Sequence, residues 1–421
     1  MSTDAFDTNE SVLDPEERAR YADAIVLGCL RLAEGDTLFV NGEIAHRELV
    51  VALTEAGYRA GARHVDVSYH DPRAQAARVR HARDEHLGPV TPWQRARLRA
   101  KLEPASVSVT LLGEADPGVF DGLPPERVAE DSLRTVRKVK WFANASLDGR
   151  LNWAGAGWPA AYWASQIFPG LDGVAAQRRL AQDLLWFCRL GPDDPPGFEG
   201  WRRHVEAVAR RAKALTDMRL ERLKLRGPGT SLDLALAPGT RWLGGQEATK
   251  HGRVIAPNMP TEECFTSPEA RATEGSFRCS RPLSFRGREI DGIAGEFRSG
   301  RLVRLEAAAD DDRDFLAAFI DADRNARRLG EVALVDGSSR IGQTGRVYAN
   351  TLVDENAVAH IAFGAGFDQT RLPDPDARGA RGVNRANLHL DVMIGTDELE
   401  ATGIAAGGRR VALIAGGSWQ L

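Results

Sequence analysis

The sequence has 421 residues, of which 43% are hydrophobic and 27% are charged, and its formal net charge is −4. Because a single hydrophobic core rarely grows beyond about 300 residues, this length predicts two domains that need no disulfide framework. The slight acidity argues against a nucleic-acid-binding protein, and the lack of a run of about 18 apolar residues argues against a membrane-spanning one.

The N-terminus and the cysteines both favour a cytoplasmic protein. Residues Met1 to Arg18 are polar and acidic and lack the apolar segment of a secretory signal. The cysteines are scattered and include no Cys-x-x-Cys pair, which is typical of reduced thiols and not of a zinc thiolate site. They are Cys29, Cys188, Cys264 and Cys279.

Predicted helices and strands alternate in the first half of the chain. A tail that we expect to be mobile, residues 1–15, leads into a helix from Glu16 to Ala33. The alternation continues with strands at 36–40, 64–69 and 105–112 and helices at 45–57, 74–85 and 125–139. This order predicts an α/β domain with a mainly parallel sheet. We predict no dinucleotide, because the first strand is followed by Val40-Asn-Gly-Glu-Ile-Ala45 and not by a glycine-rich turn.

A tryptophan-rich segment, residues 140–201, follows the alternating region. Aromatic side chains at this density either pack a core or line a pocket or an interface, and packing is the commoner role of tryptophan. The tryptophans concerned are Trp141, Trp153, Trp158, Trp163, Trp186 and Trp201. A helix is then predicted from Gly200 to Arg219.

The second half of the chain is rich in predicted strands. A hairpin from Leu223 to Leu236 marks the passage to it, so we place the N-terminal α/β domain at residues 1–240 and the C-terminal domain at 241–421. Further strands are predicted at 276–279, 332–335, 347–353, 388–393 and 411–419, with a hairpin at 293–306 that turns at Ser299-Gly300. An α+β, strand-rich C-terminal domain is therefore expected.

The segment His389-Leu390-Asp391 holds the clearest pair of chemically active side chains. Residues i and i+2 of a strand point to the same face, so the imidazole and the carboxylate converge. Burying such a polar pair among apolar neighbours is costly unless the two groups bind each other or a metal. A hydrogen-bonded structural pair and a pair of metal ligands fit the sequence equally well.

His360 is a second candidate, within a segment that predicts a short helix capped by Asp354. Glu355 would lie in the first turn of that helix. Five positions correspond to about 500° of helix rotation, so the donors of Glu355 and His360 would point roughly 140° apart. Joint ligation would therefore need a helix end or a distortion, and a packed structural histidine is the commoner role of a lone histidine among apolar neighbours.

Two glutamates complete the candidate set. Glu263 lies within Asn258-Met-Pro-Thr-Glu-Glu-Cys-Phe-Thr266, and Glu331 opens the apolar strand Val332-Ala-Leu-Val335. An acid at the mouth of a strand can face a cleft, but taken by themselves both glutamates fit solvated end residues better. No self-contained motif such as His-Glu-x-x-His links these residues.

Together these segments resemble the thermophilic-type metallo-aminopeptidase family, which contains aminopeptidases T and S. The resemblance covers nearly the whole chain and rests on six ordered segments. They are Ala56-Gly-Tyr-Arg-Ala-Gly-Ala-Arg-His-Val-Asp-Val-Ser-Tyr69, Leu225-Arg-Gly-Pro-Gly-Thr230, Pro257-Asn-Met-Pro-Thr-Glu-Glu-Cys-Phe-Thr266, Arg328-Leu-Gly-Glu-Val-Ala-Leu-Val335, Asp354-Glu-Asn-Ala357 and His389-Leu-Asp-Val-Met-Ile-Gly395.

The resemblance implies a hydrolase that uses two divalent metal ions, Zn²⁺ or Co²⁺ with Mn²⁺ and Mg²⁺ as alternatives, to cleave the N-terminal bond of small peptides or aminoacyl amides. It also implies a homodimer. Glu331 is the expected bridging carboxylate, and Glu262 or Glu331 the expected proton relay. The implied ligands are Glu263, Glu331, Glu355, His360, His389 and Asp391.

One position departs from the family pattern. In the family, a helix follows a ligand histidine and ends with a tyrosine seven residues later, close to the metals. In this chain the histidine is His360 and the position of the tyrosine is occupied by Phe367. The hydroxyl that would donate to the developing oxyanion is missing, and loss of one such donor can cost about 10²–10³ in turnover. The position predicts weak peptidase activity or a different substrate.

Two other functions remain open. A ring-opening dioxygenase of the dihydroxypyridine type resembles the same family but uses one Fe²⁺ and needs no paired glutamates, so Glu263 together with Glu331 favours hydrolysis. A repurposed binding or scaffold protein that retains the fold is the other alternative, with Phe367 marking lost catalysis.

Overall fold

The computed structural model describes residues 11–113, 116–286, 288–372 and 382–421. The chain folds into two compact units, one of Met1–Arg203 with Ala248–Met259 and one of His204–Glu247 with Pro260–Leu421. The predicted domain division near residue 240 stays a prediction. Of the tail predicted to be mobile, residues 1–10 lie outside the described part of the chain.

The chain up to Met259 forms these helices and strands: α1 (Pro15–Asp23), β1 (Thr37–Glu43), α2 (Arg47–Arg59), β2 (His64–His70), α3 (Pro72–His81), α4 (Pro92–Ala100), β3 (Ser106–Leu112), α5 (Pro125–Leu147), β4 (Trp153–Gly157), α6 (Ala161–Ile167), α7 (Gly173–Phe187), α8 (Glu199–Asp217), β5 (Leu220–Gly227), β6 (Thr230–Ala235), β7 (Glu247–Ala248), β8 (Val254–Ile255) and β9 (Asn258–Met259). A π-helix, Ala24–Cys29, extends α1.

The first unit is built on a five-stranded sheet in the order β2-β1-β3-β4-β9. All four neighbouring pairs are parallel, which confirms the predicted parallel sheet. Helix α2 begins one turn after β1 and buries Leu49, Leu53 and Ala56, which recur at helical spacing. This crossover between parallel neighbours is the connection that a parallel sheet requires.

The rest of the chain forms β10 (Cys264–Thr266), β11 (Thr273–Arg278), β12 (Leu283–Phe285), β13 (Arg288–Ile290), β14 (Ala294–Arg298), β15 (Arg301–Glu306), α9 (Asp310–Asp321), β16 (Leu329–Leu334), α10 (Arg340–Gln343), α11 (Thr351–Asp354), β17 (His360–Gly364), β18 (His389–Met393), β19 (Glu400–Ala405), β20 (Arg410–Ala415) and β21 (Ser418–Trp419).

The second unit contains two main antiparallel sheets and the short antiparallel pair β12-β13. The larger has the order β15-β14-β11-β6-β5-β19-β20-β21, and the smaller has the order β10-β16-β17-β18. Apolar residues of both sheets, among them Leu223, Phe277, Val332, Phe363 and Val392, belong to one buried core. The predicted strand-rich C-terminal region and both predicted hairpins are therefore confirmed.

Two local predictions were wrong. Residues Val347–Val353 form no strand, because they make a loop that enters the short helix α11, whose Leu352 and Val353 pack inward. His360 lies on no helix but is the first residue of β17. Asp354 ends α11 and does not cap a new helix, since its carboxylate accepts hydrogen bonds from the backbone of Tyr348 and Asn350.

The tryptophan-rich segment contains β4, α6 and α7, which the sequence did not predict. Trp158, Trp163 and Trp201 are at most 5% exposed, so the packing interpretation holds for these three. Cys29, Cys264 and Cys279 are thiols without a disulfide among the described residues. No helix in the described ranges is both long and apolar enough to cross a membrane.

Candidate metal centre

The smaller sheet of the second unit has one face on the core and one face that carries polar side chains. In β18, Leu390 and Val392 belong to the core, whereas His389 and Asp391 point to the opposite face. The same alternation in β17 places Ile361 in the core. Strand periodicity thus turns acids and imidazoles from neighbouring strands toward one space.

A bulge in β16 places Glu331 over the middle of this face. The pairing between β16 and β17 shifts register between Leu329 and Glu331, so Gly330 is the extra residue. A Cβ at Gly330 would lie 2.1 Å from the carbonyl oxygen of Ala365, which explains why this position is glycine. Such bulges redirect side chains near functional sites.

Small residues on the middle strand leave room for the converging groups. Ala362 of β17 is the register partner of both Glu331 and Asp391, so these acids approach one another over a methyl group. His389 is the partner of Gly364, which has no side chain. Neighbouring strands are about 4.8 Å apart, and side chains from β16 and β18 therefore meet above β17.

His389 is held in one tautomer. Its Nδ1 lies 2.8 Å from the carbonyl oxygen of Ala365, and since a carbonyl only accepts, Nδ1 carries the donated proton. Its Nε2 then faces Glu331 Oε2 at 3.1 Å and Asp391 Oδ1 at 3.1 Å. A nitrogen lone pair between two carboxylates is repulsive unless a proton or a metal ion lies between them.

Glu263 and His360 form the second half of the cluster. Glu263 Oε2 lies 3.2 Å from His360 Nε2, but it is buried and has no partner with hydrogen-bond geometry among the described residues. Nδ1 of His360 faces the carbonyl oxygen of Val358 at 3.4 Å, which leaves Nε2 for the cluster. An imidazole oriented by a carbonyl is the usual arrangement of a metal-binding histidine.

Ligand-competent atoms form two groups that share Glu331. Donors of Glu263, Glu331 and His360 lie within 4.8 Å of one another, as do those of Glu331, His389 and Asp391. Nitrogen and carboxylate oxygen suit borderline divalent ions such as Zn²⁺ and Co²⁺. The unsatisfied Glu263 oxygen and the shared carboxylate fit a metal-binding site.

Burial and like charge act on two acids of the cluster, Glu331 and Glu355, whereas for Asp391 burial is opposed by the imidazoles of His389 and His360, which lower the pKa of this acid. Burial, followed by the charge of Glu263, raises the pKa of Glu331, and the same causes raise the pKa of Glu355 well above its usual range. Although burial opposes it, the neighbouring carboxylate of Glu263 raises the pKa of His360 to about 10. The surroundings of Glu331, Glu355 and His360 therefore favour binding of a positive charge, as a proton or as a metal ion.

The remaining predicted acids are placed differently. Glu355 belongs to neither converging group, although the charges of Glu263 and Asp391 act on it. Glu262 Oε2 lies 3.4 Å from Nε2 of His204. Glu262 is therefore adjacent to the cluster in sequence, while its carboxylate faces a histidine of α8.

Phe367 lies against the cluster, as its sequence position implies. Its ring centroid is 5.2 Å from that of His389 and 5.5 Å from that of Phe265. The predicted helix before it is wrong, because Phe367 follows the strand β17. Its backbone N–H donates to Ser267 Oγ at 2.9 Å, which fixes the loop next to His389.

Three residues of the site were not predicted from the sequence. His204 and Ser267 carried no detectable signal, because each is isolated among unrelated residues. Asn356 lies within the segment Asp354-Glu-Asn-Ala357, but nothing in the sequence indicated its contact with the backbone of Glu262. Contacts between segments so far apart in sequence follow only from the fold.

The chain is similar to known proteins along nearly its whole length. The profile of the thermophilic metalloprotease (M29) family matches residues 15–419. Aminopeptidase T of Thermus thermophilus is 35% identical over 392 residues, which are 93% of this chain and 95% of that protein. The solved structure of wild-type AmpT from Thermus thermophilus has a TM-score of 0.86 at 33% identity and covers 96% of this chain and 99% of that chain.

A second solved structure bears on the alternative enzyme class. The 2,5-dihydroxypyridine dioxygenase of Pseudomonas putida KT2440 has a TM-score of 0.51 at 13% identity, with 95% of this chain and 96% of that chain covered. Such a likeness shows a shared fold and gives the dioxygenase alternative no support.

Proposed function

Because the chain belongs to the thermophilic metalloprotease (M29) family and is a metallo-aminopeptidase, a hydrolase, we propose that it removes the N-terminal residue of small peptides or aminoacyl amides with two divalent metal ions as cofactors. The observation that carries the proposal is the pair of donor groups that share Glu331. A carboxylate has two oxygens, so one that is common to two ligand sets can serve two neighbouring ions.

The proposed ligands divide between the two ions. Glu263 and His360 would hold one ion, His389 and Asp391 the other, and Glu331 would bridge them. Glu355 would complete the set from the end of α11. Such ions, when bound, lower the pKa of water toward about 7 and polarise a carbonyl group.

The chain's own residues would perform the remaining tasks. A buried carboxylate at the cluster can accept and return a proton during cleavage, and Glu331, which is 4% exposed, is the first candidate. Glu262 is the second candidate for proton relay, with His204 as the group beside its carboxylate. Phe367 can shield the site with its ring but has no hydroxyl to donate to an oxyanion.

Metal stoichiometry and turnover test the proposal together. Apo protein reconstituted with Zn²⁺ or Co²⁺, with Mn²⁺ and Mg²⁺ compared, should retain two ions per chain after dialysis. It should also release amino acids from a panel of peptides and aminoacyl anilides. One tightly bound iron together with oxygen consumption would establish the dioxygenase instead, and two ions with no hydrolysis across the panel would establish a repurposed protein.

We also propose a cytoplasmic homodimer with peptide substrates. The relatives are named as aminopeptidases, T in Thermus thermophilus and PepS in Streptococcus thermophilus, which supports peptides as substrates. Multi-angle light scattering should give twice the chain mass of 45.8 kDa. A monomer at micromolar concentration would rule out the dimer without affecting the metal proposal.

A further inference from the structure

Asn356 links two separate segments that carry proposed metal ligands. Its side chain is fully buried, with 0% exposure. Its Oδ1 accepts a hydrogen bond from the backbone N–H of Glu262 at 2.7 Å. Its Nδ2 donates to the carbonyl oxygen of Leu352 at 2.9 Å and lies 3.5 Å from Glu355 Oε1. One amide group thus contacts the segment of Glu263 and the carboxylate of Glu355.

The backbone around Asn356 is fixed as well. Its carbonyl oxygen accepts a hydrogen bond from Ser339 Oγ at 2.7 Å. Four residues later the chain enters β17 at His360, whose register with Met393 is set by the sheet. The side chain therefore projects from an anchored backbone.

We propose that Asn356 is a positioning residue of the metal centre, which holds Glu262–Glu263 and Glu355 at the separation that metal binding requires. This role rests on the proposed two-metal function. Consecutive Cα atoms are about 3.8 Å apart, so fixing the N–H of Glu262 restricts where Glu263 places its carboxylate. Residues that orient ligands in this way typically contribute about 10–100-fold to metal affinity.

The chemistry of the amide suits this task. An asparagine side chain is donor and acceptor at once, so it can serve a backbone N–H and an acidic side chain together. Aspartate has nearly the same shape, but when ionised it only accepts. In Asn356→Asp, the new oxygen would face the Leu352 carbonyl and the Glu355 carboxylate, and both contacts would become repulsive.

The first unit offers a matched control. Asn152 is also 0% exposed, and its Oδ1 accepts a hydrogen bond from Thr249 Oγ at 2.8 Å. Its Nδ2 donates to the carbonyl oxygens of Ser106 at 2.9 Å and Pro104 at 3.3 Å. Asn152→Asp therefore places a carboxylate against carbonyl groups in a similar setting, but none of these partners is a proposed ligand.

The test measures metal binding without turnover. Apo forms of the wild type, Asn356→Asp and Asn152→Asp are titrated with Zn²⁺ against a chromophoric chelator, and their visible spectra are recorded with Co²⁺. Both variants should lose thermal stability. Only Asn356→Asp should bind Zn²⁺ about 10–100-fold more weakly and show an altered Co²⁺ spectrum. Circular dichroism selects folded protein, and Asn356→Ser, which is small and uncharged, replaces Asn356→Asp if that variant does not fold.

Wild-type Zn²⁺ affinity and an unchanged Co²⁺ spectrum in the folded Asn356 variant would overturn the proposal, as would an equal loss of affinity in Asn152→Asp. These outcomes are independent of peptidase activity. A wild type that binds two ions but cleaves no peptide would refute the proposed function alone. A wild type that cleaves peptides, with an Asn356 variant of unchanged metal affinity, would refute the positioning role alone.

Discussion

Asp131 of the first unit and two clustered acids of the second unit, Glu331 and Glu355, have opposite kinds of partners. In the first unit, the fully buried Asp131 accepts hydrogen bonds from Arg78 Nε and Nη2, each at 2.9 Å, from the backbone N–H of Gly88 at 2.8 Å and from Gln75 Nε2 at 3.1 Å. In the second unit, Glu331 and Glu355 are surrounded by other acids and share two imidazoles among them.

The pKa values follow this difference in partners. The hydrogen bonds from Arg78, then that from Gly88, lower the pKa of Asp131 to about 2 despite its burial. Burial and neighbouring carboxylates raise the pKa of Glu331 and Glu355. The protein thus supplies the partners of Asp131 itself, whereas a bound cation would neutralise Glu331 and Glu355.

The largest expected effect comes from Glu331→Gln, which removes the carboxylate shared by both donor groups. Metal content should fall and turnover should decrease by more than about 10³-fold, beyond the roughly 10–100-fold typical of residues that only support a ligand. Elemental analysis and anilide hydrolysis measure both. Asp131→Asn should keep the full metal content, and unchanged metal content and turnover in Glu331→Gln would remove Glu331 from the site.

The second largest expected effect is an increase in turnover, in the variant Phe367→Tyr. Phe367→Tyr adds the missing donor beside His389, and turnover of aminoacyl anilides should rise by up to about 10²-fold, because one oxyanion donor is worth that much. Phe265→Tyr, on the adjacent ring, is the control and should leave turnover unchanged. If Phe367→Tyr shows wild-type kcat, the missing hydroxyl does not limit the reaction.

Asp131→Asn tests the structural side of the comparison. It leaves the Arg78 guanidinium without its anion and should lower the free energy of unfolding of the first unit by about 1.5–3 kcal/mol, the value of hydrogen bonds to charged groups. Denaturant unfolding measures the loss. In the control, Asp321→Asn breaks the solvent-exposed pair with Arg327 and should cost less than about 1 kcal/mol. Equal losses would contradict the contrast between buried and exposed pairs.

The smallest expected effect is the pH dependence of the stability that Asp131 contributes through its contact with Arg78. Because the folded pKa of about 2 lies below the unfolded value near about 3.9, Asp131 stabilises the fold fully above about pH 5. That contribution is lost as the pH falls through about 4 toward 2. The difference in unfolding free energy between the wild type and Asp131→Asn should therefore shrink over this range. A constant difference between pH 7 and pH 3 would show that the pKa is not lowered.

The sequence predicted the regular parts of the fold because their causes are local. Alternating helices and strands indicated the parallel sheet, and the two-residue period of a strand placed His389 and Asp391 on one face. The same reasoning gave wrong predictions for the segment from Val347 to His360, where it predicted a strand and then a helix. Asp354 has the chemistry of a helix cap, but its carboxylate binds backbone N–H groups that precede it in the chain.

By itself, the sequence determined the family, the order of the elements and which residue types can hold a metal. Only the tertiary structure decided how they meet. The Gly330 bulge directs Glu331, Ala362 leaves space between Glu331 and Asp391, and Asn356 binds the backbone of Glu262. These arrangements depend on pairing between distant segments. Strand register and close packing fix such contacts, and a local sequence pattern does not predict them.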